Sequence, residues 1–236
     1  MFCIEIAGIP IGIDNRYKYI KRHCRGYEIE GKEPDFTVSV TEEEIEKAQH
    51  PERPRSKGYV ESLCLYRKIG LRLAKYQTFL MHSAVVAVDG KAYAFTAPSG
   101  TGKTTHIRLW LKMLGDRAQV LNGDKPLYRF IDGVLYACGT PWQGKEHMGE
   151  NIMRPVQGIC FLEQSPENRI RPLSASEVTW KIFRQLLIPE EEEELDRYWV
   201  LLEKMLDTVP FYLLECNREL EAARLSYETM RSKEVC

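Results

Sequence analysis

The chain has 236 residues, 44% of them hydrophobic, and its 33 basic and 34 acidic side chains give a formal net charge of −1. This length allows one large α/β domain with a small appendage and is too short for two full-size domains. The near-neutral charge gives no electrostatic reason to expect a nucleic-acid or membrane partner. No apolar run approaches the ~18 residues that a membrane-spanning helix needs.

The spacing of cysteine and histidine argues against a disulfide framework and against a zinc site. None of the seven cysteines forms a CxxC pair, and the five histidines form no HxxxH or HxxH pair. Residues 2–13 are apolar, but Glu5 interrupts them and no basic segment precedes them, unlike an export signal. We therefore expect reduced thiols and a cytoplasmic protein.

The first part of the chain is predicted to be a small α+β subdomain with a linker, covering residues 1–57. Residues 2–13 and 35–40 have the apolar pattern of strands. Thr41 followed by Glu44 is a capping-box signature, which predicts a short helix to about residue 50. Residues 51–57 hold two prolines and four charged residues, as a linker does, and residues 59–76 have helical spacing.

Strands then alternate with helices and Asp-Gly hairpin turns, so residues 58–236 are predicted to form an α/β domain with a mainly helical C-terminal part. The predicted strands are 79–88, 91–96, 118–121, 127–131, 134–137, 156–163 and 210–215, and the helices include 104–114 and one starting near 217.

A glycine-rich segment joins the strand at 91–96 to the helix at 104–114. Ala97–Thr104 fits the Walker A pattern with alanine in place of the first glycine. The pattern predicts backbone N–H groups turned toward phosphate, Lys103 on the β and γ phosphates, and the Thr104 hydroxyl on Mg²⁺. The predicted nucleotide-binding residues are Pro98, Ser99, Gly100, Thr101, Gly102, Lys103, Thr104 and Thr105, with ATP and Mg²⁺ as ligands. The alternative is a glycine-rich turn without a ligand.

Asp124 ends the next predicted strand, and ligands gather at the carboxyl ends of strands in open α/β sheets. We expect Asp124 to hold Mg²⁺ or to act as a base; the alternative is a plain Asn-Gly-Asp turn. Lys125 stands where a motor ATPase would have glutamate, and no guanine-reading Asn-Lys-x-Asp stretch is present. These features favour phosphate transfer to a hydroxyl.

The segment Ser99–Thr105, with His82-Ser83-Ala84 and the Asp89-Gly90 turn before it, resembles the superfamily that joins HPr kinase/phosphorylase with ATP-dependent phosphoenolpyruvate carboxykinase. The resemblance covers about residues 78–231, and residues 139–146 are similar to a stretch in small HPr-kinase-like proteins of Firmicutes. It implies a P-loop kinase core of that type with β-hairpins. It also implies a catalytic neighbourhood for His82, whose alternative is a hydrogen-bonded core histidine. Assembly into a homo-oligomer is implied as well.

The glycine-rich stretch from Gly139 to Gly149 is longer than a plain strand connection needs, so we predict an acceptor-binding loop. In this interpretation the loop exposes Trp142 and Lys145, with Gly144 between them. Trp142 walls the acceptor pocket, and Lys145 touches the transferred phosphate. The alternative is that Trp142 packs into the core and Lys145 is a solvated surface charge.

The function predicted from these residues is an ATP- and Mg²⁺-dependent kinase that phosphorylates a serine-type hydroxyl on a peptide, protein or small molecule. Two alternatives remain open. One is a nucleotide-sensing regulatory module without phosphate transfer, and the other is a carboxykinase-like enzyme, which the short length disfavours. We expect neither nucleic acid nor membrane among its partners.

Overall fold

The computed structural model describes residues 1–189 and 191–232 and confirms the predicted mixed α/β class. The N-terminal region contains β1 (Phe2–Ile6), β2 (Ile9–Asp14), α1 (Lys18–His23), β3 (Glu28–Ile29), β4 (Phe36–Ser39), α2 (Glu42–Lys47) and α3 (Lys57–Leu73). The rest contains β5 (Thr78–Leu80), β6 (Ser83–Val88), β7 (Lys91–Thr96), α4 (Lys103–Leu114), β8 (Ala118–Asn122), β9 (Leu127–Ile131), β10 (Val134–Cys138), β11 (Met153–Gln164), β12 (Arg169–Pro172), α5 (Ala175–Ile182), α6 (Glu192–Thr208), β13 (Phe211–Cys216) and α7 (Leu220–Arg231).

The N-terminal region forms a four-stranded sheet in the order β3-β1-β2-β4. The prediction of one strand over residues 2–13 is wrong, because Ala7 (φ 55°) and Gly8 (φ 76°) make a turn that folds β1 back on β2. The capping box of α2 is confirmed: Glu44 N–H donates to Thr41 Oγ1 at 3.2 Å, and Thr41 N–H donates to the Glu44 carboxylate at 2.8 Å. The division at residue 57 stays a prediction.

One apolar cluster joins this region to the rest of the chain. It contains the buried faces of β1, β2 and α3 together with Leu80, Leu127 and Trp142. Because side chains from both regions fill the same core, the N-terminal sheet is held against the larger one by apolar burial as well as by the chain connection.

The larger sheet has nine strands, with β7 between β6 and β11, and β11 is parallel to both β7 and β13. The prediction of one strand over residues 79–88 is wrong. The chain breaks at Met81 and His82, so that β5 pairs with β9 whereas β6 pairs with β7 and β8. The break is held by backbone hydrogen bonds from His82 N–H to Gln185 O at 2.6 Å and from Ser83 N–H to Asp124 O at 3.2 Å.

The last third is mainly helical, as predicted, with α5, α6 and α7, but the prediction missed β12, which adds to the edge of β13 as an antiparallel strand. The C-terminal helix α7 starts at Leu220 rather than near residue 217, because the preceding residues form a turn in which Glu219 N–H donates to the Asn217 side-chain oxygen at 3.0 Å. Among the residues that the structure describes, no helix is long and apolar enough to cross a membrane.

Candidate functional site

The loop from Ala97 to Gly102 leaves the end of β7 and enters the N-terminus of α4. Gly100 and Gly102 have φ of 86° and 121°, and a β-carbon at either position would meet nothing within 4 Å. The requirement for glycine therefore comes from the backbone conformation and not from lack of space. A glycine-rich turn of this kind at a helix N-terminus is the backbone arrangement that favours an anion.

Lys103, the first residue of α4, is folded back over this loop. Its side chain is 7% exposed, and its ammonium donates to Ala97 O at 2.8 Å and to Pro98 O at 3.4 Å. Burial lowers the pKa of Lys103, the Asp124 carboxylate partly offsets this, and the Lys125 ammonium lowers it further. A buried ammonium that is bonded to neutral carbonyls lacks a direct counter-charge, and a phosphate group on the loop would supply one.

The turn after β8 is built on the side chain of Asn122. Its carboxamide oxygen accepts from the N–H groups of Asp124 at 2.9 Å and Lys125 at 2.8 Å, and its nitrogen donates to Thr140 O at 3.1 Å. The Thr140 hydroxyl in turn donates to Lys125 O at 2.6 Å, so that Asn122, Lys125 and Thr140 form a closed cycle of hydrogen bonds. The turn interpretation of Asn-Gly-Asp is therefore correct as a description of the backbone. It also explains why the Asp124 side chain has a fixed position.

Both carboxylate oxygens of Asp124 are bonded. Oδ1 lies 3.2 Å from Nε2 of His82, and Oδ2 accepts from the Lys125 ammonium. Burial raises the pKa of Asp124, but hydrogen bonds from His82 and Lys125 outweigh it and bring the pKa down to about 2. Asp124 is therefore ionised throughout the physiological range, as a ligand for a divalent cation must be.

His82 is fixed on its other side by Gln185. The imidazole Nδ1 lies 3.2 Å from the Gln185 side-chain oxygen, and the His82 carbonyl accepts from the Thr96 hydroxyl at 2.9 Å. His82 is thus hydrogen-bonded, as the structural interpretation expected, and it also contacts Asp124. Its catalytic role stays a prediction. Sequence reasoning placed Asn122 in a turn and noted Lys125 after Asp124, but it did not predict that Lys125 pairs with Asp124, and it missed Gln185.

The loop between β10 and β11 crosses the end of β8 and touches Asp124. Gly123 N–H donates to Met148 O at 2.9 Å, and Glu150 N–H donates to Leu121 O at 3.1 Å. Gly144 has φ of 77°, and a β-carbon there would lie 2.9 Å from Cβ of Asp124. The loop therefore approaches the carboxylate more closely than any other residue type at Gly144 would allow.

The expectation that this loop exposes Trp142 is wrong. The indole is 4% exposed and packs beside Tyr66 with ring centroids 5.2 Å apart, because its N–H finds partners in Ser62 O at 3.1 Å and Ser62 Oγ at 3.0 Å. Lys145 is exposed, as expected. Glu146 is ion-paired with Arg108 of α4 at 2.5 Å, which ties the loop to the helix that begins at Lys103.

Most of the predicted site residues line one cleft of about 850 Å³. It brings together Ser99, Gly100, Gly102, Lys103, Thr104, Thr105, His82, Asp124, Trp142, Gly144 and Lys145. Pro98 and Thr101 lie on the other side of the loop, in a cleft of about 730 Å³ that also contains Trp180 and Arg184. The loop thus separates two cavities, and no sequence pattern predicted the second.

Few protein side chains could bind a metal ion in this cleft. Within the described parts of the chain, no group of three or more His, Cys, Asp or Glu side chains is arranged to hold a metal ion. Magnesium that binds together with a nucleotide uses phosphate oxygens, waters and only one or two protein oxygens. The ionised Asp124 carboxylate and the Thr104 hydroxyl, which line the same cleft, fit that requirement.

No protein-family model matches this chain, and no curated protein matches it. Among solved structures, the Hpr(Ser) kinase/phosphatase from Coxiella burnetii is similar, with 11% sequence identity and a TM-score of 0.37. The match covers 65% of this chain and 99% of that chain. This is a distant likeness at the level of the fold, and it assigns neither a family nor an activity.

Proposed function

We propose that the protein is an ATP- and Mg²⁺-dependent kinase that transfers the γ-phosphate to a serine-type hydroxyl. The observation that carries this proposal is the pairing, in one cleft, of a buried ammonium without a direct counter-charge and an ionised carboxylate. Lys103 supplies the ammonium at the start of α4, and Asp124 supplies the carboxylate after β8. Phosphoryl transfer depends on such positioned charges more than on covalent chemistry.

In this proposal the loop N–H groups and Lys103 bind the β and γ phosphates. Thr104 and Asp124 would hold Mg²⁺, which supplies positive charge to the phosphate oxygens. The serine oxygen bonds to the γ-phosphorus while the bond from that phosphorus to the β–γ bridging oxygen breaks, and ADP leaves with the electron pair. The hydroxyl proton passes to Asp124 and then to solvent. A carboxylate with a pKa near 2 is a weak base, which suits a transfer in which the proton moves late.

The loop from Gly139 to Gly149 is proposed as the acceptor side of the site. Lys145 is exposed within the cleft, and among the residues that the structure describes it forms no hydrogen bond or ion pair that must break before it reaches a phosphate. Its flexible ammonium would follow the charge that develops on the transferred group. Trp142 contributes a fixed wall through its packed ring rather than an exposed platform.

A nucleotide-sensing module without transfer is the second candidate, and one observation favours it. His82 and Lys125 already engage both oxygens of Asp124, and such ion pairs must open before the carboxylate meets a metal or a hydroxyl. The carboxykinase alternative has no supporting observation among the described residues.

Measuring ADP formation from Mg-ATP with and without serine-containing acceptors separates the first two candidates. A kinase forms ADP in proportion to phosphoserine and much faster with an acceptor. A protein that binds Mg-ATP but forms no phosphoserine with any peptide, protein or small-molecule acceptor would contradict the proposal and support the sensing module.

A further inference from the structure

The cleft that holds Lys103 and Asp124 continues onto the N-terminal region. Its outer part is lined by Tyr19 and His23 of α1, Tyr59 and Leu63 of α3, and Arg55 just before α3. The two ends belong to one continuous cavity, so a molecule whose hydroxyl lies at Asp124 would extend toward these side chains. We call Tyr19, His23, Arg55, Tyr59 and Leu63 the outer wall.

The outer wall presents aromatic and apolar surface. Tyr19 stacks on His23 with ring centroids 5.6 Å apart, and the edge of one tyrosine meets the other in the Tyr19–Tyr59 pair at 6.1 Å. Tyr59 and Leu63 are each 36% exposed, although both are large hydrophobic residues. Rings held against one another lose little freedom when a ligand packs on them, so they make an efficient contact surface.

The charge beside these rings is positive. The Arg22 guanidinium lies 5.9 Å from the centre of the Tyr19 ring, and that of Arg55 lies 6.0 Å from the Tyr59 ring. Neither arginine, nor Lys145 farther along the cleft, forms an ion pair with a carboxylate in the part of the chain that the structure describes. The acid of the acceptor loop, Glu146, is already paired with Arg108.

This basic surface stands out on a chain whose net charge is −1. Exposed cations without carboxylate partners attract anionic ligands through the long-range field of the cleft. The outer wall and Asp124 line one cleft of about 850 Å³, and an extended peptide, which gains ~3.3 Å per residue, can contact both parts of it at once. An acceptor that matches the whole cleft is therefore a peptide with an apolar group and negative charge near its serine.

We propose that the outer wall binds the phosphate acceptor, and that the acceptor is an acidic serine-containing peptide segment with an aromatic or apolar residue beside the serine. This inference rests on the proposed kinase function and gives its substrate class. The apolar residue packs on Tyr19 and Tyr59, and the acidic residues meet Arg55 in the cleft and Arg22, which lies beside the Tyr19 ring at its edge. The N-terminal region thereby acts as the acceptor-recognition part of the enzyme.

The test measures peptide binding without nucleotide, so that it does not depend on catalysis. A fluorescein-labelled peptide carries phenylalanine before its serine and glutamates after it, and a matched peptide carries lysines in place of the glutamates. Fluorescence anisotropy at low ionic strength should give about tenfold tighter binding of the glutamate peptide, the sum of several weak exposed ion pairs. Added salt should reduce this preference, because exposed charges are screened.

Arg55→Glu and Arg22→Glu should each remove most of the preference. Lys91→Glu is the matched control, since Lys91 is exposed at the hairpin end of β7, away from the loop at Ala97. Equal affinity for the two peptides, no binding of either, or an unchanged preference in both arginine variants would overturn the inference. Acidic-peptide binding without phosphoserine formation would preserve the outer wall as a binding surface and contradict the kinase proposal alone.

Discussion

Replacing Asp124 by asparagine should lower the stability of the protein by a predictable amount. The pKa of this carboxyl is about 2 in the folded protein, against 3.8 ordinarily. That difference corresponds to roughly 2 kcal/mol of free energy of unfolding when the group is ionised. The Asp124 side chain is 21% exposed, so solvent screening reduces this figure only modestly.

The sign of the pH dependence follows from the lowered pKa. Folding makes Asp124 a stronger acid, so its contribution is fully present above the unfolded pKa of about 3.8 and is lost as the pH falls toward about 2. Asp124→Asn should therefore unfold with roughly 2 kcal/mol less free energy at pH 7. Its melting temperature should be lower by about 4–8 °C, the usual response of a chain this size.

Urea unfolding of the wild type and the variant between pH 7 and about pH 3.5 measures this difference. Asp116→Asn is the control, because Asp116 is exposed in the short 3₁₀ turn after α4 and its charge lies outside the cleft. The expected deficit is constant down to about pH 5 and shrinks below about pH 4. Equal unfolding free energies for Asp124→Asn and the wild type at pH 7 would refute the assignment of His82 and Lys125 as its partners.

Four further outcomes are expected. Asp124→Asn should retain nucleotide binding and lose about 10²–10⁴ in transfer rate, and wild-type turnover would leave it only a turn residue. Lys103→Ala should weaken Mg-ATP about 10- to 100-fold by calorimetry while the fold survives, as loss of a charge-assisted hydrogen bond predicts; equal affinity would contradict this. Lys145→Ala should lower kcat far more than it lowers the affinity for ATP. An unchanged kcat and acceptor KM would refute the proposed contact of Lys145 with the transferred phosphate. Gly144→Ala should slow transfer, because the added methyl group displaces Asp124. Gly133→Ala is the control, since Gly133 has a similar φ of 80° but open space around it, and its transfer rate should not change. Equal rates for the two variants would show that the close contact between Gly144 and Asp124 does not matter for transfer.

The sequence predicted those parts of the fold and site that depend on residues close together in the chain. The capping box at Thr41, the Asp-Gly turns and the strand, loop and helix around Lys103 depend on neighbours in the chain, so a pattern of a few residues specifies them. Asp124 was predicted from its place at the end of a strand, and it does lie in the same cleft as Lys103. Its roles as a metal ligand and base stay predictions.

Contacts between distant parts of the chain could not be predicted. Gln185 lies 103 residues from His82, and nothing near either residue indicates that they meet. The break at Met81 was hidden because β5 and β6 are both buried, so the apolar run continues through it. Trp142 lies in a glycine-rich loop, which favours exposure, and only the tertiary fold supplies Ser62 as partner for its indole N–H.

The most direct test of the kinase proposal is transfer of label from ATP carrying a radioactive γ-phosphate to serine in acidic peptides. Mass spectrometry then locates the phosphate on the serine. The wild-type protein should form phosphoserine when Mg²⁺ is present, and Lys103→Ala and Asp124→Asn should form little or none. If the wild-type protein binds Mg-ATP yet transfers no label to serine in peptides, proteins or small molecules, the cleft between Lys103 and Asp124 is not a kinase site.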